Sequence, residues 1–258
     1  MLESHEAINV LSTGELAGIA AGKTIESCIN KLQKTQDSIR IVFAAAPSQD
    51  SMLAYLSNSK TIHWDKVVAF NMDEYIGLPA GAPQSFANYL EENLFSKISL
   101  KSKYTINPNL DIDEELIRYS KLISEAPIDI VCLGIGENGH IAFNDPPVAD
   151  FNDPHIIKTV ILDKPCRTQQ VNDGCFEALD EVPKKALTLT IPTLLSGKNL
   201  FCVVLGAKKS EAVKNTFAGA VTTACPASIL TTHNNCKFFF DEAAFKEAAK
   251  LEVKILND

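Results

Sequence analysis

Short runs of consecutive apolar residues recur along the chain, separated by stretches whose apolar positions fall at helical spacing. Ile39–Ala46 is one such run and stops at Pro47. Val67–Met72 and Ile128–Leu133 repeat it. Ala186–Ile191, Leu200–Leu205 and Lys237–Phe240 follow, with Val160–Leu162 a weaker member. Between them, Asp50–Leu56, Ser85–Leu94, Asp113–Ser124 and Ala207–Phe217 read as helices. The acidic start of 113–124 suits the positive end of a helix dipole. Buried strands alternating with helices predict an α/β fold around a mostly parallel central sheet. Ligands in such sheets sit beyond the carboxyl ends of the strands. That rule selects three loops: Ala44–Asp50, Asn71–Gly77 and Gly134–Asp145.

The chain has 258 residues, and domains average roughly 150. With no repeat, low-complexity tract or flexible linker in it, a single domain over 1–258 is expected. Lys and Arg number 24 and Asp and Glu 32, a net charge of −8. An acidic chain is a poor match for nucleic acid or an anionic membrane. A small anionic substrate needs only a few local donors and stays open. The polar start, Met1–Glu6, lacks the basic and apolar regions of a signal peptide. Apolar stretches such as Leu200–Gly206 are far shorter than the ~20 residues that span a bilayer. The seven cysteines, Cys28, Cys132, Cys166, Cys175, Cys202, Cys225 and Cys236, form no CxxC pair. They read as reduced thiols in a cytoplasmic protein.

Each selected loop carries candidate chemistry. In Asn71-Met72-Asp73-Glu74-Tyr75 two carboxylates follow a buried strand. A partly desolvated carboxylate has a raised pKa and can serve as a general base; the same pattern also suits a polar turn leaving the sheet. In Gly134–Asp145, three glycines within six residues allow close backbone approach, Gly139 directly before His140. The string matches G-x-G-x-x-G, but Asn144-Asp145-Pro146-Pro147 cuts short the helix a dinucleotide site needs. His140 is instead a candidate acid–base group, or a brace for its own loop. In Ala44–Asp50 small residues lead into a helix, where backbone N–H groups and the Ser48 hydroxyl could face an anion; Ser48 as a helix cap is the alternative. Lys208 and Lys209 stand at another helix start. They suit an anion between them or a solvated surface pair. His5, His63, His140, His155 and His233 are scattered, and neither zinc-ligand spacing nor HExxH occurs.

Together these segments resemble the glucosamine-6-phosphate deaminase/isomerase family. Val67–Pro79 and Leu133–Pro146 carry the resemblance most strongly. Pro83–Phe86, Val182–Thr188, Pro226–Leu230, His233 and Asp241-Glu242 extend it in the family's order across roughly Ile39–Asp241. The resemblance implies a Rossmann-like, three-layer α/β sandwich, often oligomeric. It implies a reaction without metal or redox cofactor that turns an amino-aldose 6-phosphate into a ketose 6-phosphate and ammonia. Under it Asp73 is the base that moves a proton from C2 to C1, with Glu74 beside it in the substrate site, and His140 opens the sugar ring. Asn138 and Asp145 orient His140, and Ala45, Ala46, Ser48, Gly139 and Lys209 contact the substrate.

Four departures stand out. Asn138 replaces the family's usual aspartate and Asp145 its usual glutamate. Ala45-Ala46-Pro47-Ser48-Gln49 replaces a Thr-Gly-x-Thr/Ser-Pro loop. A phosphate-holding arginine falls, in register, at Asp173, with Arg167 six residues earlier as its expected substitute. Altered anion recognition is therefore expected: a related amino-sugar phosphate or another acidic sugar. Asp145–Asp180, rich in Pro, Asp and Asn at its start, is the expected lid over the site. The rival functions are a 6-phosphogluconolactonase-type lactone hydrolase and a non-catalytic sugar-phosphate sensor.

Overall fold

The computed structural model describes residues 7–251; the polar start at Met1–Glu6 lies outside them. In chain order the first half contains β1 (Ile8–Leu11), α1 (Gly14–Leu32), β2 (Ile39–Phe43), α2 (Asp50–Ser57), β3 (Val67–Asn71), β4 (Asp73–Ile76), α3 (Phe86–Asn93), β5 (Ser102–Tyr104) and α4 (Ile112–Ser124). The second half contains β6 (Ile130–Leu133), β7 (Ile157–Ile161), α5 (Lys164–Asn172), β8 (Lys185–Leu189), α6 (Ile191–Leu195), β9 (Asn199–Val204), α7 (Ser210–Phe217), β10 (Cys236–Asp241) and α8 (Glu242–Phe245).

Seven strands form one sheet in the order β1-β10-β9-β6-β2-β3-β5, every neighbouring pair parallel. Its inner strands are apolar without alternation because both faces are covered. Ile41 and Phe43 pack into a core with α1, α2 and α3; Val42 packs into the opposite core with α4, α6 and α7. This is the expected three-layer α/β arrangement. The helices start where side-chain caps satisfy their first free N–H groups. Thr13 opens α1, Ser85 opens α3, Asp111 opens α4 and Asp163 opens α5.

The structure adds elements that the apolar pattern does not reveal. β1 and α1 precede the first strand read from sequence. The strand-end loop Asn71–Gly77 contains β4, which leaves the main sheet and starts a second one. That sheet is antiparallel, in the order β4-β8-β7. Here β7 begins three residues before the weak run at Val160–Leu162 and pairs along its whole length with β8. The segment 145–180 therefore contains a strand bound into a sheet, and its remaining helical part is α5.

Candidate active site

Asp73 owes its position to the change of sheet. β3 ends at Asn71, whose side-chain amide donates to the Asp73 carbonyl (2.9 Å) and whose Oδ1 accepts from the Ile106 N–H (2.9 Å) and the Tyr119 hydroxyl (3.1 Å). The chain then turns into β4 with Asp73 paired to Thr188 of β8. Asp73 is buried, and among the described residues no hydrogen bond reaches its carboxylate. Burial, with the charge of Glu74 in second place, pushes its pKa well above the usual carboxylate range. Such a group is basic enough to accept a carbon-bound proton when ionised.

Glu74 faces elsewhere. Its oxygens accept the N–H groups of Tyr75 (2.9 Å), Phe86 (3.1 Å) and Ala87 (2.8 Å), so it closes the start of α3. It does not line the cavity holding Asp73. Burial raises its pKa, and those backbone hydrogen bonds act against the rise. The expected contact of Glu74 with substrate is thus replaced by a packing role.

His140 stands in the loop after β6. The Gly136 N–H donates to the His140 carbonyl (2.9 Å) and the Gly139 N–H to the Gly136 carbonyl (3.0 Å), closing a tight turn. A Cβ on Gly136 would lie 2.2 Å from the imidazole, so the ring rests directly on the glycine backbone. Beyond it, Ala142 takes a left-handed conformation at φ +50°, strained for a residue with a side chain. The Phe143 N–H then donates to the Thr188 hydroxyl (3.1 Å), and Asn144 donates to the Leu189 carbonyl (2.9 Å). The sequence of this loop is therefore dictated by its closeness to β8 as much as by its chemistry.

Asp145 and Asn138 stand against His140. The imidazole Nδ1 lies 2.9 Å from Asp145 Oδ1. Asn138 joins both: its amide donates to Asp145 Oδ1 (2.8 Å) and its Oδ1 accepts the His140 backbone N–H (3.1 Å). Burial pushes Asp145 upward, but the hydrogen bond and charge of His140 and the hydrogen bonds of Asn138 and Cys166 outweigh it. Its pKa falls below the usual range. Nδ1 faces the Asp145 carboxylate, so Nε2 is the ring nitrogen left to meet a ligand. Cys166, on α5, meets the His140–Asp145 pair within 4.8 Å. Nothing in its sequence context pointed to this contact.

Asp73 and His140 line one cavity of about 360 Å³, a size fit for a phosphorylated monosaccharide. Ala45, Ala46 and Ser48 line it too. The Ser48 hydroxyl accepts from Gln49 Nε2 (2.9 Å) and keeps its own proton to offer; it caps no helix. Lys209 is buried on the wall, while Lys208 is exposed, so the two do not act as a pair. Burial lowers the Lys209 pKa, partly countered by Asp173. Gly139 packs against Cys225 and lies off the cavity wall. Arg167 is absent from the wall as well: its guanidinium is spent on the carbonyls of Val182 (3.1 Å) and Leu179. The wall residues supplied by its helix and the residue following it are Gln169, Gln170 and Asp173. Gln169 and Gln170 were not expected, because the weakly periodic segment 145–180 gives no sign of which face of α5 turns inward; Asp173 stands at the position where the family register puts a phosphate-holding arginine.

Behind the site, Tyr75, Phe86, Phe143 and Phe176 form an aromatic wedge with ring centroids 4.8–5.5 Å apart. It joins β4, α3, the histidine loop and the segment after α5.

A parallel α/β sheet with a buried, unpartnered carboxylate and an imidazole facing one cavity has the parts of an acid–base enzyme acting on a small molecule. Comparison with known proteins narrows the class. Residues 13–239 match the model of a family described as glucosamine-6-phosphate isomerases/6-phosphogluconolactonase, and the chain belongs to that family. A glucosamine-6-phosphate deaminase of Bacillus thuringiensis (strain Al Hakam) is 34% identical over 238 residues, spanning 92% of this chain and 87% of its own. The enzyme of the same name from Bacillus cereus (strain AH820) has the same figures. Among solved structures, a monomeric glucosamine-6-phosphate deaminase superimposes with a TM-score of 0.83 at 28% identity, covering 93% of this chain and 99% of that one. A 6-phosphogluconolactonase from Thermotoga maritima reaches 0.72 at 20% identity, covering 91% and 97%, and shares the fold. No helix among the described residues is long and apolar enough to cross a membrane.

Proposed function

We propose that this protein deaminates an amino-sugar 6-phosphate, converting glucosamine 6-phosphate and water to fructose 6-phosphate and ammonia. The observation that carries the reading is the convergence of a buried, unpartnered Asp73 and an Asp145-oriented His140 on one cavity.

The chemistry assigns each a step. The C2–H is acidic only beside a C1 carbonyl, so the pyranose ring opens first. His140 Nε2 takes the C1 hydroxyl proton and returns a proton to the ring oxygen. Asp73 then removes the C2 proton, giving an enolamine, and delivers a proton to C1. The product is a C2 imine, to which water adds; the C–N bond breaks and ammonia leaves with the ketose. No redox change occurs, and the atoms balance with one water. Asp145 and Asn138 act through His140, by keeping its ring and tautomer fixed. Ser48, the Ala45-Ala46 backbone and Lys209 serve the phosphate. Gln169 and Gln170 bring α5 over the sugar, the lid role in this reading. The seven cysteines, none in a disulfide among the described residues, support a reducing, cytoplasmic setting.

The test is ammonia release coupled to ketose formation. Asp73→Asn is expected to lower kcat by at least ~10²-fold, the usual contribution of a positioned base, with the fold intact by thermal unfolding. Near-normal turnover in that variant rejects Asp73 as the base. Acid release from 6-phosphogluconolactone without ammonia from the amino sugar would favour the lactone hydrolase instead.

A further inference from the structure

Among the described residues lining the cavity, Lys209 is the sole lysine or arginine, while Asp73, Asp173 and Asp241 all contribute carboxylates. Asp241 is occupied: its oxygens accept the N–H groups of Gly206 (3.0 Å) and Ala244 (2.8 Å), which fixes the start of α8. Asp173 is not held in that way. It follows α5, accepts from Gln169 Nε2 (3.1 Å) and stands 3.8 Å from Lys209 Nζ. The two side chains are only 23% and 10% exposed, so water screens the pair weakly. The one ammonium that could hold an anion in this cavity therefore arrives with its charge already balanced. A doubly charged phosphate approaching Lys209 also approaches the Asp173 carboxylate, 3.8 Å from that ammonium. An uncharged hydroxymethyl group does not feel that repulsion and finds hydrogen-bonding partners in the pair and in Gln170.

We infer that Asp173 is a specificity-determining residue that works against dianionic termini, and that it brings amino sugars with an uncharged terminus within the enzyme's range. The inference rests on the reading of the cavity as an amino-sugar site and narrows its substrate class. Asp173→Asn keeps the acceptor for Gln169 and removes only the charge.

Two readouts test it. In ammonia release, the ratio of kcat/KM for glucosamine 6-phosphate to that for glucosamine is expected to rise at least tenfold in Asp173→Asn, through KM. In calorimetry with non-reacting open-chain probes, the affinity ratio of sorbitol 6-phosphate to sorbitol is expected to rise by a similar factor. In a Lys209→Met background that keeps Asp173, both ratios are expected to fall below the native values, because the carboxylate then repels the dianion with no ammonium to offset it. A binding ratio that stays level or falls in Asp173→Asn overturns the inference. If neither sugar yields ammonia while the binding ratio still shifts, the deaminase reading fails and the role of Asp173 stands.

Discussion

At the scale of single residues, the site depends on what is withheld as much as on what is supplied. Among the described residues Asp73 has neither a hydrogen bond nor a cation to stabilise its charge, and burial raises its pKa. The cost falls on stability, with a definite sign. A carboxyl whose pKa is higher folded than unfolded imposes no charge penalty below the unfolded value near 3.9. The penalty grows as pH rises towards the folded value and is complete above it. Asp73→Asn should therefore melt higher than the native protein at pH 8, with the gap closing as pH falls towards about 4. Scans across that range check it; at this chain length each kcal/mol is worth roughly 2–4 °C. Asp145 has the opposite sign, since its depressed pKa stabilises the fold above the unfolded value and that gain is lost on acidification. Gly136 works by absence as well. A methyl group there would sit 2.2 Å from the imidazole, so Gly136→Ala should swing His140 off Asp145. The expected result is a fall of at least ~10²-fold in kcat with little change in KM; an unaltered kcat would show that the ring need not rest on the glycine.

At the scale of elements, α1 and α2 pack unusually closely. A Cβ on Gly18 would come within 2.6 Å of Ser51 Cβ, and one on Gly22 within 2.7 Å of the Tyr55 ring. Gly18→Val should destabilise the protein by about 1–3 kcal/mol through overpacking, read from urea unfolding, without altering the site directly. The same glycines explain why α1 was illegible in the sequence. Its contact face is built from small residues, so the usual apolar stripe is thin. The strands of the main sheet were legible because burial on both faces leaves unbroken apolar runs. β4 was hidden because its residues are Asp73, Glu74, Tyr75 and Ile76, and a strand that begins with two carboxylates reads as a turn. The Asp73 and His140 loops were found because they lie past strand ends, where the rule for open sheets places ligands. Gln169 and Gln170 were not, since nothing local marks the inward face of α5; Asp173 was located only through the family register, as the place of a missing arginine. Arg167 was taken as the substitute for the arginine missing at Asp173, and two backbone carbonyls claim it.

At the scale of the whole molecule, the main sheet and the small sheet meet at the cavity, and segment 145–180 crosses between them. β7 binds this segment to β8, while α5 is tied to the histidine loop by the Glu137 N–H donating to Gln169 Oε1 (2.7 Å). Closure over a ligand is thus expected in α5 and the residues after it, with β7 stationary. Hydrogen exchange with sorbitol 6-phosphate present should slow amides in 164–178 at least several-fold and leave 157–161 unchanged; equal protection of both segments would mean that the lid role belongs to neither.

Thr188 pairs with Asp73 across the two strands, and its hydroxyl holds the Phe143 N–H. One residue thereby ties Asp73 to the imidazole loop, so a change in either is transmitted to the other. Gln169, Gln170, Asp173 and Lys209 hang from a different helix and a different turn. New substrates can thus be acquired by altering those positions while the reaction itself is inherited unchanged, which makes diversification in such a molecule a matter of changing what it grips.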